Sequence, residues 1–432
     1  MQIGPSKFRR PMAGFSAPAA RVALACLLLA TSCAVTLASD AATTKRHCSA
    51  TLTQVAEMET QGNSGFESWW EDEDNFRLFA ANLWDGVSPN MASSSWIYNV
   101  TSAPKGGLNV VPLQRLSTMG ATEARMIWGY GGRPMLLINN HLRCGDKEEA
   151  LHKAAPCGPT SLYMMNGPLW EDFKSLKTSG PLKTDWMIVG DNKMWLIVVE
   201  GFKDRVSIWN YDSVRMEWNS KFALGVPNPT DAVITIHGGS MFVTACSKIH
   251  PETEGRATSC PMFSLIDQRF HQLQNLPSFG ASDLEQIEYE GTIFLFIANE
   301  RTDEDHRIDS QIYTFQGMRW AHNQSIPTEG AKGGHFFVKE GELWLGIANF
   351  GDLFAGKVKS ESNLWKFNKE TKLFDKMAEV DSFGATAWKY FSIGGYHYAA
   401  LANQGHLTNQ QYQTSYVYRL DEECKEVPKK EL

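Results

Sequence analysis

The chain has 432 residues, 43% of them hydrophobic, enough to bury one large core or two ordinary ones. Its net charge of −7, with no basic run in the body of the sequence, excludes nucleic acid as a partner, since little would attract a phosphate backbone. Fourteen Trp, twelve Tyr and twenty-three Phe among thirty-five Gly exclude a helical bundle and predict many short aromatic strands between turns, an all-β fold.

The chain opens with an address. Lys7, Arg9, Arg10 and Arg21 precede an apolar run from Val22 to Leu37 that ends in the small residues Ala38 and Ser39. This pattern predicts a signal peptide over 1–39, followed by a short leader, 40–47, that holds the basic pair Lys45-Arg46. An uncleaved anchor is the alternative, but the run is broken by Thr31 and Ser32 and falls short of the ~20 apolar residues a span needs. No stable membrane span is expected once the signal is removed. The next segment, TLTQVAEMET from Thr51, reads as a single strand with no partner beside it in sequence.

From there one unit recurs. NFRLFAAN (75–82) is followed by SSWIYNV from Ser94, MGATEARMIWGYGGRPMLLINN (119–140) by SLYMM, DWMIVGDNKMWLIVVE (185–200) by VSIWNY, and DAVITIHGGSMFVTAC (231–246) by SCPMFSL. Three further copies are clearer: FGASDLEQIEYEGTIFLFIAN (279–299) with SQIYTF, EGAKGGHFFVKEGELWLGIAN (329–349) with SNLWKF, and FGATAWKYFSIGGYHYAALAN (383–403) with SYVYRL. Each reads Gly-Ala, strand, glycine turn, a second strand ending in Ala-Asn, a variable loop, a Ser-headed aromatic strand and a final amphipathic strand. The second strand ends at 82, 140, 200, 246, 299, 349 and 403, a period of 46–60 residues. Four antiparallel strands cannot cover both faces of their own sheet, so seven copies predict a seven-bladed β-propeller spanning 48–424. Gly291, Gly341 and Gly394 fit the tight hairpin between the first two strands. The last copy stops after its third strand, so the lone strand from Thr51 is predicted to complete it, leaving a charged tail at 425–432.

Cys26 and Cys33 leave with the signal, and six cysteines remain. In a secreted chain an even number reads as disulfides. Cys144 and Cys157 share one loop between second and third strands, Cys246 and Cys260 flank the same loop in another copy, and Cys48 and Cys424 stand at the two ends, where the missing turn of the last blade would be. Free or metal-bound cysteines are the alternative, although no spacing resembles a zinc site.

The Gly-Ala, apolar strand, Ala-Asn and Ser-x-Ile-Tyr-x-Phe pattern over Cys48–Cys424 resembles the epilepsy-associated repeat, also called the EAR, epitempin or EPTP repeat. The repeat domains of the leucine-rich glioma-inactivated proteins and of the thrombospondin-type laminin G domain and EAR repeat-containing protein share that pattern. The resemblance implies a seven-bladed propeller that works as a secreted, extracellular, non-catalytic binding module for a protein receptor or matrix component. A lectin-like binder of glycans and a secretory-pathway enzyme with a site in the channel are the alternatives.

Residues that follow Gly-Ala should face the central channel, which places Glu123, Asp283, Lys332 and Trp388 at a candidate ligand entrance. No cofactor is expected; calcium held by channel carboxylates is the alternative, without a calcium-loop spacing to support it. His237 and His335 are candidates for chemistry by position alone, and no nucleophile elbow, zinc helix or phosphate loop is present. Asn323-Gln324-Ser325 and Asn99-Val100-Thr101 are glycosylation sequons, with Asn323 favoured because an outer strand projects into water. Trp69 and Trp70 beside the acidic run 71–74 could anchor a partner. The terminal Lys-Lys-Glu-Leu resembles a retention signal, so residence in the endoplasmic reticulum lumen is the alternative to secretion.

Overall fold

The computed structural model describes residues 45–427 apart from 73–74, 84–91, 129–133, 142–157, 167–168, 190–192, 213–214, 216, 353–358 and 406–413. The predicted signal peptide, Cys144, Cys157 and the last five residues therefore lie outside the described residues. The compact unit runs from Arg46 to Glu426. It contains seven four-stranded antiparallel sheets, six built from consecutive strands. The seventh has the order β1-β4-β3-β2 when its strands are numbered along the chain, with β1 at Lys45–Glu59, β2 at Ala385–Ile393, β3 at Tyr396–Asn403 and β4 at Thr414–Val427. The chain's start thus supplies the outer strand of the last blade. A disulfide joins the two strands of this closing ribbon at Cys48 and Cys424. The blades are called 1 to 7 in chain order, blade 1 beginning at Asn63.

Each blade buries apolar side chains against its neighbours. Phe296, Leu345 and Ile347 share a cluster between blades 5 and 6, and Met58 of the closing strand packs with Phe66, Leu78 and Tyr398 where blade 7 meets blade 1. Glu290-Gly291, Glu340-Gly341 and Gly394-Gly395 turn with positive φ at both central positions, the hairpin geometry the glycines predicted.

The recurring Asn and Ser are structural. In blade 6 the Asn349 amide takes a hydrogen bond from the Glu329 backbone (3.4 Å) and gives one to the Glu361 carbonyl (2.7 Å), while the Asn349 N–H donates to Ser362 Oγ (3.1 Å). Asn82, Asn299 and Asn403 repeat this staple with Ser95, Ser310 and Ser415. Where blade 3 has Glu200 instead, the carboxylate takes the Ser179 N–H (2.8 Å) and the Ser207 hydroxyl. Blade 4 replaces the Ser with Cys260, which is bonded to Cys246.

All seven inner strands share an irregularity. Their register skips one or two residues just after the first, as at Ala281↔Asn299 followed by Asp283↔Ala298, and at Ala331↔Asn349 followed by Gly333↔Ala348. This bulge sets which side chains reach the channel.

Candidate functional site

The inner edge of each innermost strand has no sheet partner, so its N–H groups need acceptors. Carboxylates supply them from one blade to the next. Glu123 of blade 2 accepts the Thr184 N–H (2.6 Å), Asp185 of blade 3 the Ile234 N–H (2.9 Å), Asp231 of blade 4 the Leu284 N–H (2.8 Å) and Asp283 of blade 5 the Gly334 N–H (2.8 Å). Cations offset part of this charge. Lys183 Nζ lies 2.8 Å from Asp283 and 3.7 Å from Glu123, Arg125 lies 2.9 Å from Glu123, and Lys389 lies 3.1 Å from Glu67.

Burial raises the pKa of Glu123 and Asp231 and pushes Asp185 up to about 6, against the backbone hydrogen bonds and Arg125 that lower it. Lys183 moves the other way from a lone buried lysine: burial pulls it down, but Asp283 and Glu123 hold it above its ordinary value.

Of the four residues predicted at the channel entrance, Glu123, Asp283 and Trp388 line the channel. Trp388 is mostly core, only 3% exposed, with its indole N–H on the Ile347 carbonyl at 3.1 Å. Lys332 does not line it. As the bulged residue of blade 6 it turns to Glu300 (2.7 Å), which also holds Lys248 (2.9 Å), and burial lowers its pKa to about 8. The channel's free space is about 40 Å³, room for a few waters. His335 sits there 3.1 Å from Glu285, whereas His237 is exposed at a hairpin of blade 4 and packs edge-on to Phe315. Among the described residues, the one group of three metal-ligating side chains within 4.8 Å of one another is Cys48, Glu422 and Cys424, whose sulfurs are joined to each other.

The face carrying the hairpins between first and second strands has a different character. Trp70, Trp128 and Ile188 occupy one register position in blades 1, 2 and 3, opposite Phe76, Pro134 and Met194, and are 42%, 43% and 51% exposed. Val338 repeats the position in blade 6, and Ile236, half-buried, in blade 4. Trp69 points the other way and packs edge-on against Trp170 of blade 2. The sequence signalled Trp70 but not the arc, which needs the register to be seen.

Of the two sequons, Asn99 is half-buried in the third strand of blade 1, where it accepts from Arg77. Asn323 is the bulged residue of the outer strand of blade 5, and its amide donates to the Lys372 carbonyl (3.3 Å).

Residues 373–421 match the EPTP domain, from the outer strand of blade 6 to the third strand of blade 7. The chain is 28% identical over 158 residues to the human thrombospondin-type laminin G domain and EAR repeat-containing protein, an alignment covering 35% of this chain and 23% of that one. The mouse protein of the same name is 32% identical over 181 residues, covering 41% of this chain and 26% of that one. The alignments thus span about a quarter of these relatives' length. The periplasmic gluconolactonase of Pseudomonas aeruginosa has a similar fold, with a TM-score of 0.52, 13% identity and coverage of 75% of this chain and 87% of that one. At that identity the likeness shows the propeller alone.

Proposed function

We propose that this propeller is a secreted, extracellular recognition module that binds a protein receptor or matrix component without catalysis, through the hairpin face of blades 1 to 3. The observation that carries the reading is the exposed arc of Trp70, Trp128 and Ile188. Trp70 packs edge-on to Phe76 yet leaves much of its ring in water, and a tryptophan buried in an interface is among the strongest anchors of protein interfaces. The arc lies beside the acidic turn of Glu71 and Asp72, a polar rim of the kind that surrounds such anchors.

In the alternative site, the channel, the charges are used in holding blades together. Two disulfides support an oxidising compartment, as the predicted signal peptide does. Among the described residues no helix is long and apolar enough to cross a membrane.

Affinity capture from membrane and matrix extracts, using the full secreted protein and its Trp70→Ala/Trp128→Ala variant in parallel, tests the proposal. A protein should be recovered with the wild type and lost with the variant. Equal recovery by both would remove the arc from the interface.

A further inference from the structure

In the third strand, blades 1, 2 and 5 place a tyrosine at the same step of a shared register shift, at Tyr98, Tyr163 and Tyr313. Twice this tyrosine closes a seam. Tyr98 donates to the Glu59 carbonyl (3.1 Å) on the outer strand of blade 7, and Tyr163 to the Ser117 carbonyl (3.4 Å) on the outer strand of blade 1. Each bond ties a blade to the edge of the blade before it. Tyr313 breaks the pattern, for its hydroxyl has no partner among the described residues.

A cavity of about 350 Å³ opens at this seam instead, lined by Gln311, Tyr313, Trp320 and His322 of blade 5 and by Asn275 and Pro277 of blade 4. We infer that it holds a neutral pyranose ring of a glycan.

Three observations choose that ligand class. No Asp, Glu, Lys or Arg lines the cavity, so nothing there would select a phosphate, sulfate or carboxylate. Its volume is at the lower end of ligand sites, suited to one or two sugar rings rather than a peptide. Its walls offer the amides of Asn275 and Gln311, the His322 imidazole and the Tyr313 hydroxyl to the hydroxyls of a sugar, over a floor formed by the core rings of Trp320 and Tyr313, 3% and 4% exposed.

The walls are also fixed in advance. The Trp320 indole N–H donates to Thr244 (2.9 Å), and the Gln274 amide of blade 4 brackets the Trp320 backbone with bonds of 2.8 and 2.9 Å. His322 Nε2 is 2.7 Å from Gln311 Oε1, which leaves Nδ1 and the Tyr313 hydroxyl as polar groups without partners among the described residues. A rigid wall with two unspent polar atoms suits binding better than closure. The site lies between the third and outer strands of blade 5 and the outer strand of blade 4 and shares none of the residues proposed for the protein interface, so the two proposals stand or fall separately.

Saturation-transfer NMR on the full secreted protein tests the assignment, with the methyl glycosides of mannose, galactose, glucose and N-acetylglucosamine as probes and methyl glucuronide as the charged comparator. At least one neutral glycoside should receive saturation, with affinity falling about tenfold in both Tyr313→Phe and His322→Ala and unchanged in Tyr98→Phe. Tyr313→Phe keeps the ring and breaks no bond, so its fold should match the wild type by thermal unfolding. No transfer to any neutral glycoside, tighter binding of the glucuronide, or transfer indifferent to both substitutions would overturn the inference.

Discussion

Asp283, which lines the channel, also serves as a beam between blades. Its two oxygens face Lys183 of blade 3 and the Gly334 N–H of blade 6, so one carboxylate links three blades. Removing it leaves Lys183 with only the longer contact to Glu123, at 3.7 Å. Asp283→Ala should therefore cost about 3–5 kcal/mol in urea unfolding, whereas Asp381→Ala, which breaks an exposed pair with Lys359, should cost less than about 1 kcal/mol. Asp185 gives a pH signature of known sign. Its folded pKa of about 6 lies above the unfolded value near 4, so the folded state takes up the proton first as pH falls. Between pH 6 and pH 4 this group makes the protein more stable, by up to about 3 kcal/mol, and Asp185→Asn should abolish that increment. Stability curves with the opposite slope difference would refute the burial argument. The sequence led to Glu123 and Asp283 because channel strands follow Gly-Ala, but their partners come from other blades and carry no local signal. Lys332 is drawn from the channel by Glu300, whereas Ser64, Thr122 and Thr386 at the same bulged position line it.

At the scale of the strand, the repeat was readable because its most regular residues perform one local task. Asn349 joins the end of a second strand to the third strand and to the crossover arriving from the blade before, three hydrogen bonds from one buried residue. Asn349→Ala should lower stability by roughly 2–3 kcal/mol, seen as a shifted denaturant midpoint; a shift smaller than that of a surface Asn→Ala control would deny the staple its role. Gly330 precedes the first strand of blade 6 with φ +64°, and a Cβ there would meet the Gly351 carbonyl oxygen at 2.5 Å, so alanine is excluded by both backbone and space. What the period could not reveal is how blades grip one another. Gln114, Gln274 and Gln324 each bracket the backbone of the next blade's outer strand, at Trp170, Trp320 and Phe374. Phe222 does the same work at another seam by stacking edge-on to Phe270. An amide and a phenyl ring share no sequence signature, so only the structure shows them as equivalents.

For the whole molecule, closure is the step that turns seven sheets into one body, and it depends on a strand from the opposite end of the chain. The closing strand is held by packing and by chemistry. Met58 is buried between blades 7 and 1, Thr60 and Asn63 bond Ser415 at 3.0 and 3.1 Å, and Cys48 is bonded to Cys424 across 376 residues. On the loop-entropy argument a crosslink of that span stabilises by about 6 kcal/mol at most, while the 14-residue span of Cys246–Cys260 is worth about 3 kcal/mol. The two disulfides should also fail differently. Cys48→Ser/Cys424→Ser frees a whole outer strand at one seam of the ring, so hydrogen exchange should quicken across 45–59 and 414–427 and in the facing strands of blade 1 before global unfolding. Cys246→Ala/Cys260→Ala leaves the ring closed, and its loss of protection should stay within blade 4. If the first variant opened no faster at the terminal strands than the second, hydrogen bonds and apolar packing alone would be holding the propeller shut, and the terminal disulfide would be a passive addition to a ring already sealed.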